Sequence, residues 1–299
     1  MIVPHLDNKI SVVITTYNRS ALLKRAIESV LVQTHRNIEC IIIDDCSTDN
    51  TAEVVNSYCD SRIYYEKNYK NMHLSASRNL GVSKSTGGYI AFLDDDDEWM
   101  PEKLEKQLDK FLTVSTKFGL IYCWMEFVGQ KKRTFRKPTL KGEIFNQVLT
   151  SQPLGNGSTY LIRKEVFEKI GGFDVTLKRG IDGDFIRRLC QKYSVDYVPE
   201  VLIKYHVSHG GHRRITTADH EGIKTAIAGE LEKFEKFESE LLSDPEASAI
   251  IYAKISCLYA EIGEFRNWFK YVGLAITKKG ASRSVLKLCL SGLRHLVSS

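Results

Sequence analysis

The chain has 299 residues, 43% hydrophobic and 26% charged, the composition of a globular protein with room for about two domains. A chain this long buries most of its apolar surface unaided, which excludes a disordered chain and a disulfide-stapled scaffold. The net charge of +5 is too small by itself to argue for nucleic acid. It is also unevenly placed: residues 278–299 hold Lys278, Lys279, Arg283, Lys287 and Arg294 and no acid, so the rest of the chain is neutral overall.

In chain order, Ile10–Thr15 is β-branched and nearly all apolar, as in a strand buried on both faces. Ser20 is placed to cap a helix over Ala21–Gln33, where Leu23, Ile27, Val30 and Leu31 recur at helical spacing. Ile38–Ile43 reads as a second strand, Ala52–Tyr58 as a helix capped by Thr48 or Asp49, and Arg62–Glu66 as a third strand. A helix over Leu74–Lys84 stops at Gly87-Gly88, Tyr89–Leu93 is a fourth strand, and Pro101 opens a helix over Glu102–Leu112. This alternation predicts a mostly parallel sheet with helices on its faces. Further on, Leu120–Phe127 reads as a strand, and Lys131–Lys141, with six basic residues and no acid, as a solvated hairpin or loop. Tyr160–Ile162 is a short strand, followed by a helix over Lys164–Ile170 that Gly171-Gly172 ends, a helix over Asp182–Lys192, and an extended Tyr197–Tyr205. From Thr217 onward only helices are expected: Thr225–Leu242, Ala247–Gly263, Phe265–Thr277 and Ser282–Val297. A domain boundary is expected near residue 215.

The seven cysteines form no C-x-x-C pair and several sit in apolar runs, the pattern of reduced, packed thiols in a cytoplasmic protein rather than of disulfides or a zinc site. Residues 1–10 show no apolar leader, and no apolar run approaches the roughly 20 residues of a membrane span. Any membrane contact is therefore expected to be peripheral.

Ligands of a parallel α/β sheet sit at the carboxyl ends of its strands. Three polar clusters fall there: Thr15-Thr16-Tyr17-Asn18-Arg19, Asp44-Asp45-Cys46-Ser47 and Asp94-Asp95-Asp96-Asp97. Four successive carboxylates repel and raise one another's pKa unless a cation is present, and hard oxygen ligands favour Mg²⁺ or Mn²⁺. In an extended segment Asp94 and Asp96 face the same way. One or two carboxylates, a divalent metal and a diphosphate are the chemistry this edge predicts.

The blocks Val12–Arg19, Ile43–Asp49, Ser77-Arg78-Asn79-Leu80-Gly81 and Phe92–Asp97 resemble, in order, those of family 2 glycosyltransferases, over about residues 9–212. The resemblance implies a GT-A fold, Rossmann-like with a mostly parallel central sheet, and here an α-helical C-terminal extension. It divides the chain into a catalytic domain over 1–215 (nucleotide-sugar half 9–112, acceptor half 113–215) and an extension over 216–299. Members are inverting, metal-dependent enzymes that use nucleotide sugars. Carried over residue by residue, Thr15 and Tyr17 contact the nucleoside and Asp45 the base. Arg78, Asp94 and Asp95 serve the donor, with a structural pairing of Arg78 to the aspartate loop as the alternative. Asp96 and Asp94 are metal ligands, and Asp97 braces the loop or contacts the sugar. Cys46 stands where glycine is usual.

Gly180–Leu189 resembles the helix-start block that supplies the catalytic base, which places the base at Asp182; a helix cap is its alternative role. Ile181 stands where a supporting acid is usual. Asp184 of the same block and Trp99 are expected on the acceptor side, Trp99 as a sugar platform or as ordinary packing. Tyr205–His209 resembles a segment ending in a histidine near the metal or diphosphate; His206 and His209 both fit, with His209 assigned to the metal. Gly155–Thr159 resembles the loop before the acceptor-side strand.

The resemblance implies transfer of a hexose or N-acetylhexosamine, glucose or galactose first among them, from a UDP-sugar to a sugar hydroxyl. The expected setting is a lipid-linked intermediate of O-antigen or capsule synthesis. A non-catalytic sugar- or nucleotide-binding module of a glycan-assembly complex is the rival reading. A nucleotidyltransferase is disfavoured because Thr15–Arg19 lacks glycine, and Lys131–Lys141 interleaves only Phe135, too little for nucleic acid. Ala253–Thr277 faintly resembles one helical hairpin of a tetratricopeptide repeat. In Ser282–Val297, Val285, Leu286, Cys289, Leu290, Leu293, Leu296 and Val297 form one apolar face opposite Arg283, Lys287 and Arg294. That pattern suits either an anionic inner-membrane surface or a packed capping helix.

Overall fold

The computed structural model describes residues 8–130, 132–151, 154–207, 220–279 and 283–291. Strand and helix first alternate: β1 (Ile10–Thr16), α1 (Ser20–Leu31), β2 (Ile38–Asp44), α2 (Thr51–Asn56), β3 (Ile63–Lys67), α3 (His73–Lys84), β4 (Tyr89–Asp94), β5 (Asp97–Trp99) and α4 (Lys103–Leu112). A mixed stretch follows: β6 (Phe118–Val128), β7 (Thr134–Arg136), α5 (Phe145–Leu149), a 3₁₀ turn over Gly157–Thr159, β8 (Leu161–Arg163), α6 (Lys164–Lys169), α7 (Ile181–Cys190) and β9 (Ser194–His206). The rest is helical: α8 (His220–Lys236), α9 (Glu238–Ser243), α10 (Pro245–Glu261), α11 (Phe265–Lys279) and α12 (Arg283–Ser291).

The strands form one sheet in the order β3-β2-β1-β4-β8-β6-β9-β5, with β7 paired to β6. The first four are parallel, and β8 runs antiparallel between β4 and β6. Every residue of β1 is buried, which its unbroken apolar run requires. Ile10, Val12 and Ile14 share a core with Leu23, Ile27 and Val30 of α1 and with Leu104, Leu108 and Phe111 of α4. On the α3 side the approach is close enough that a Cβ at Gly81 would lie 2.4 Å from Val13 Cγ1, so only glycine fits there. Phe92 of β4 packs edge-on against Phe173, their ring centroids 5.0 Å apart.

The register brings the strand ends level, Thr16 opposite Asp44 and Thr15 opposite Asp94, so the three polar clusters do share one edge. Several local expectations change. Ser20 caps nothing: it is the first residue of α1, and its hydroxyl donates to Asn50 Oδ1 at 2.5 Å. Asp49 does serve the start of α2, accepting from Thr51 N at 3.1 Å. The basic stretch is a hairpin, β7 lying antiparallel on β6. The helix expected over Thr225–Leu242 breaks at Phe237, which is buried between α8 and α9 in the chain. Gly171 and Gly172, at φ 82° and 66°, end α6 in the left-handed conformation as expected.

The chain divides into two compact units: Met1–Phe145, Gln152–Val175 and Phe185–His212 in one, Asn146–Ser151, Thr176–Asp184 and Arg213–Ser299 in the other. The helical unit thus includes two earlier segments as well as the C-terminal helices. Within it Asp244 caps α10, accepting from Glu246 N at 2.9 Å and Ala247 N at 3.1 Å, with Pro245 in the first turn. Val285 and Cys289 of α12 are buried in a cluster with Ala249, Ala253 and Ala275. The described half of the tail's apolar face is therefore packed, with Leu290 exposed beside it. Leu293, Arg294, Leu296 and Val297 lie outside the described residues. Among the described residues no helix is long and apolar enough to cross a membrane.

Candidate active site

The loops after β1 and β2 are locked together. Asn18, at φ 53°, accepts through Oδ1 from Thr48 N at 2.7 Å and Asp49 N at 3.3 Å, while its own N–H donates to Ser47 Oγ at 2.9 Å. Ser47 N in turn donates to Asp44 Oδ1 at 2.7 Å. Cys46 sits at φ 73°. The turn keeps the left-handed geometry that glycine would adopt freely, at a cost of about 1 kcal/mol for a residue with a Cβ.

Asp45 does not point into open space. Its Oδ1 accepts from Asn68 Nδ2 at 2.8 Å, Met72 N at 2.7 Å and Ser77 Oγ at 3.0 Å, and its Oδ2 from His73 N at 2.8 Å. In this structure it fastens the loop before α3 to the strand edge. Thr15 is buried and Tyr17 is 47% exposed, the one predicted nucleoside contact with a free ring.

The four aspartates split three to one. The chain turns at Asp95 and Asp96 between β4 and β5. The carboxylates of Asp94, Asp96 and Asp97 converge, each offering an oxygen within 4.8 Å of the others. Asp95, expected to bind the donor, is buried instead: it accepts from Thr16 Oγ1 at 2.8 Å and Arg19 Nη1 at 3.1 Å. Burial pushes its carboxyl up to about 7, with Arg19 opposing and Asp96 adding to the shift. Asp97, expected to brace the loop or contact the sugar, is fully buried in the cluster. Ser158 Oγ donates to its Oδ2 at 2.6 Å and Asn156 Nδ2 at 2.9 Å, while its Oδ1 has no partner. Burial, then Asp94 and Asp96, hold it well above the usual carboxylate range. Three converging carboxylates and an orphaned buried oxygen make a donor set that fits a hard divalent cation.

Arginines frame the cluster. Arg19 Nη1 also reaches Asp96 Oδ2 at 3.2 Å, and Arg25 Nη2 donates to Asp96 O at 2.6 Å. Arg78 is buried, pairs with Asp94 Oδ1 at 2.5 Å and lies 5.1 Å from the centre of the Phe173 ring. A Cβ at Gly157 would approach its Nη2 to 3.0 Å, so glycine there leaves room for the guanidinium. Arg78 thus takes the structural pairing.

Other expected positions fall elsewhere. Trp99 is 2% exposed, its Nε1 donates to Ser158 O at 2.9 Å, and Lys103 Nζ lies 3.9 Å from the ring centre, so neither face is open to a sugar. Asp184 is buried and pairs with Lys236 Nζ at 2.6 Å, which removes it from a free acceptor surface. Asp182 stands in the first turn of α7, in the unit formed with the C-terminal helices. His206 Nε2 is 3.3 Å from Glu98 Oε2, outside the aspartate group; burial, then Arg25, lowers its pKa. His209 lies outside the described residues.

Asp97 as a cluster member and Asn156 and Ser158 as its donors were missed. Alternation along an extended strand does not survive a turn. The small polar Asn156–Thr159 run beside acids was the available signal.

A parallel half-sheet whose carboxyl edge carries a converging acidic cluster, continued by a mixed half-sheet, is the GT-A architecture. A sequence model described as Glycosyl transferase family 2 matches residues 11–171, and the chain belongs to that family. It is 29% identical over 276 residues to an uncharacterized glycosyltransferase of Rickettsia typhi, covering 90% of this chain and 85% of the relative. Its fold is similar to that of S. aureus TarS 1-349 in complex with UDP-GlcNAc, with TM-score 0.64, 18% identity, and 97% of this chain and 86% of the other covered. It is also similar to mannosyltransferase PcManGT from Pyrobaculum calidifontis in complex with GDP-Man and Mn²⁺, with TM-score 0.60, 16% identity, and 96% and 80% covered.

Proposed function

We propose that the chain is an inverting glycosyltransferase that moves a hexose or N-acetylhexosamine from a UDP-sugar to a sugar hydroxyl, with Mn²⁺ or Mg²⁺ bound at the aspartate cluster. The observation that carries this is the convergence of Asp94, Asp96 and Asp97 at the end of β4 with Asp97 Oδ1 unpartnered. Family membership supports it, as do the nucleotide sugars bound by both structural neighbours and the Mn²⁺ bound by one.

Asp94, Asp96 and Asp97 would hold the cation, and a bound divalent cation supplies Lewis-acid neutralisation of a departing diphosphate. Arg78 and Arg19 keep Asp94 and Asp96 in place without occupying Asp97. The half-exposed Tyr17 ring offers a face to the nucleoside base. Asp182 is the base: its carboxylate takes the proton of the acceptor hydroxyl as that oxygen attacks the anomeric carbon. Attack comes from the side opposite the bond that breaks to diphosphate, so the configuration inverts. Such base catalysis is worth about 10²–10⁴-fold.

The setting is a lipid-linked glycan of a bacterial surface polysaccharide, at the cytoplasmic face of the inner membrane. With Val285 and Cys289 buried, peripheral contact through 282–297 rests on exposed Leu290 and Lys287 and the residues after them.

The test is release of nucleoside diphosphate from a panel of UDP- and GDP-sugars with Mn²⁺ and a diphospho-lipid-linked sugar acceptor. Turnover with a UDP-sugar is expected, whereas UDP binding without turnover against any acceptor would favour the non-catalytic module. Asp182→Asn is expected to lower kcat by about 10²–10⁴-fold with little change in donor KM, and unaltered kcat removes Asp182 from the base role. Asp96→Ala is expected to abolish the dependence of rate on Mn²⁺ concentration; an unchanged metal titration rejects it as a ligand.

A further inference from the structure

The hairpin of β6 and β7 has no part in the donor chemistry above, yet it gathers cations and aromatic rings. Its sequence between 131 and 141 carries six basic residues and no acid. In the fold two of these cations, Arg133 and Lys137, lie over aromatic rings. Lys137 Nζ lies 4.8 Å from the centre of the Phe135 ring and 5.3 Å from that of Trp124, and Arg133 lies 5.1 Å from Phe135. Trp124 is held in turn: its Nε1 donates to Pro138 O at 2.8 Å, and its ring stacks on Tyr197 at 6.3 Å, which stacks on Tyr122 at 5.4 Å. Arg133 is neutralised by Glu126. Among the described residues Lys132, Lys137 and Lys141 make no ion pair and are exposed, so their charge is available to a ligand.

Register ties this surface to the aspartates. Thr134 pairs with Phe127, Phe127 with Tyr205, and Tyr205 with Asp97. These four residues form one row across β7, β6, β9 and β5. At about 4.8 Å per strand, β6 lies roughly 10 Å and β7 roughly 15 Å from Asp97 along this row. The hairpin therefore borders the metal-binding edge on the side away from the nucleoside loops of β1 and β2.

We infer that this hairpin binds the acceptor, and that the acceptor is an anionic glycan bearing phosphate or carboxylate groups along its chain. Lysines without acid partners supply the charge, and the 40% exposed Phe135 ring that Lys137 and Arg133 overlie supplies an apolar contact for the ligand's sugar rings. A membrane surface fits less well: Phe135, 40% exposed, is the only large exposed hydrophobic side chain described between 118 and 141, whereas insertion needs several. The inference rests on the glycosyltransferase reading for the word acceptor; the binding itself does not.

The test measures binding of the full chain to fluorescein-labelled dextran, carboxymethyl dextran and dextran sulfate over a series of NaCl concentrations. Mn²⁺ and saturating UDP are present to occupy the donor site. The anionic dextrans are expected to bind with affinity that falls as salt rises, and uncharged dextran much more weakly. Lys132→Gln with Lys137→Gln is expected to weaken anionic binding about tenfold and flatten the salt dependence. Lys132→Arg with Lys137→Arg restores it, and a melting curve shared by the three proteins establishes that each is folded. Equal affinity for charged and uncharged dextran, or equal binding by the glutamine variant and the unaltered protein, overturns the inference. So does loss of binding by the glutamine variant only on vesicles of equal parts phosphatidylcholine and phosphatidylglycerol, because the hairpin is then a membrane contact. UDP binding by calorimetry is read separately: its absence would sink the donor reading and leave the hairpin result standing.

Discussion

Lys103 is the first residue of α4, and its Nζ is fully buried with no hydrogen-bond partner. The Trp99 ring is the group that faces it, and burial lowers the amine to about 8. The native protein thus binds this proton less well than the unfolded chain does. The contribution of Lys103 is unfavourable while both states are protonated and is relieved as pH rises from about 8 toward the ordinary lysine value of 10.5. Lys103→Met fills the same space without charge. It is expected to raise stability at neutral pH by up to about 3 kcal/mol and to abolish the gain between about pH 8 and 10, both read from urea midpoints across pH. A variant as unstable as the parent at pH 7 would mean that the ring's attraction for the cation already offsets its desolvation.

At the scale of the element, the 3₁₀ turn Gly157–Thr159 is the piece on which the acidic site depends. Ser158 Oγ accepts from Asp94 N at 3.1 Å and donates to Asp97 Oδ2 at 2.6 Å, and Ser158 O accepts from Trp99. One hydroxyl therefore ties the end of β4 to the start of β5. Ser158→Ala leaves a backbone N–H and a buried carboxylate without that partner, at an expected cost of about 1–3 kcal/mol. The same variant is expected to weaken the rise in melting temperature that Mn²⁺ produces in the unaltered protein, measured by differential scanning calorimetry with and without the ion. An identical Mn²⁺ response in both proteins would show that the turn supports folding alone. The edge loops after β1 and β2 follow the same logic, since Asn18 links them through three backbone N–H groups and Cys46 accepts a left-handed turn to keep them in register.

For the whole molecule, the surplus charge of the tail has a packed partner surface beneath it. Cys289 is buried against α10, so Cys289→Glu would place an unpaired carboxylate in that cluster. A cost of about 2–4 kcal/mol is expected, visible as a lowered melting temperature. Lys287→Glu with Leu290→Glu alters only exposed positions and is expected to leave stability within about 0.5 kcal/mol while reducing sedimentation with anionic vesicles. If vesicle binding is unchanged, the segment is a capping helix and no more.

The parallel half-sheet was legible because its signals are local. Apolar runs such as Ile10–Thr15 and Ile38–Ile43 bury both faces wherever they are placed, and the helices between them carry their own periodicity. The edge on which polar loops gather followed from strand direction alone. The tertiary structure decided what those side chains do. The turn at Asp95 and Asp96 rotates Asp97 into the cluster and Asp95 out of it, and the donors that hold Asp97 come from a segment about sixty residues away. Trp99 is buried by Lys103 and Ser158, and Asp182 falls in the unit of the C-terminal helices, for the same reason. Spacing along the chain encodes which face of its own element a residue occupies; the distant segment that covers that face is set only when the sheet closes.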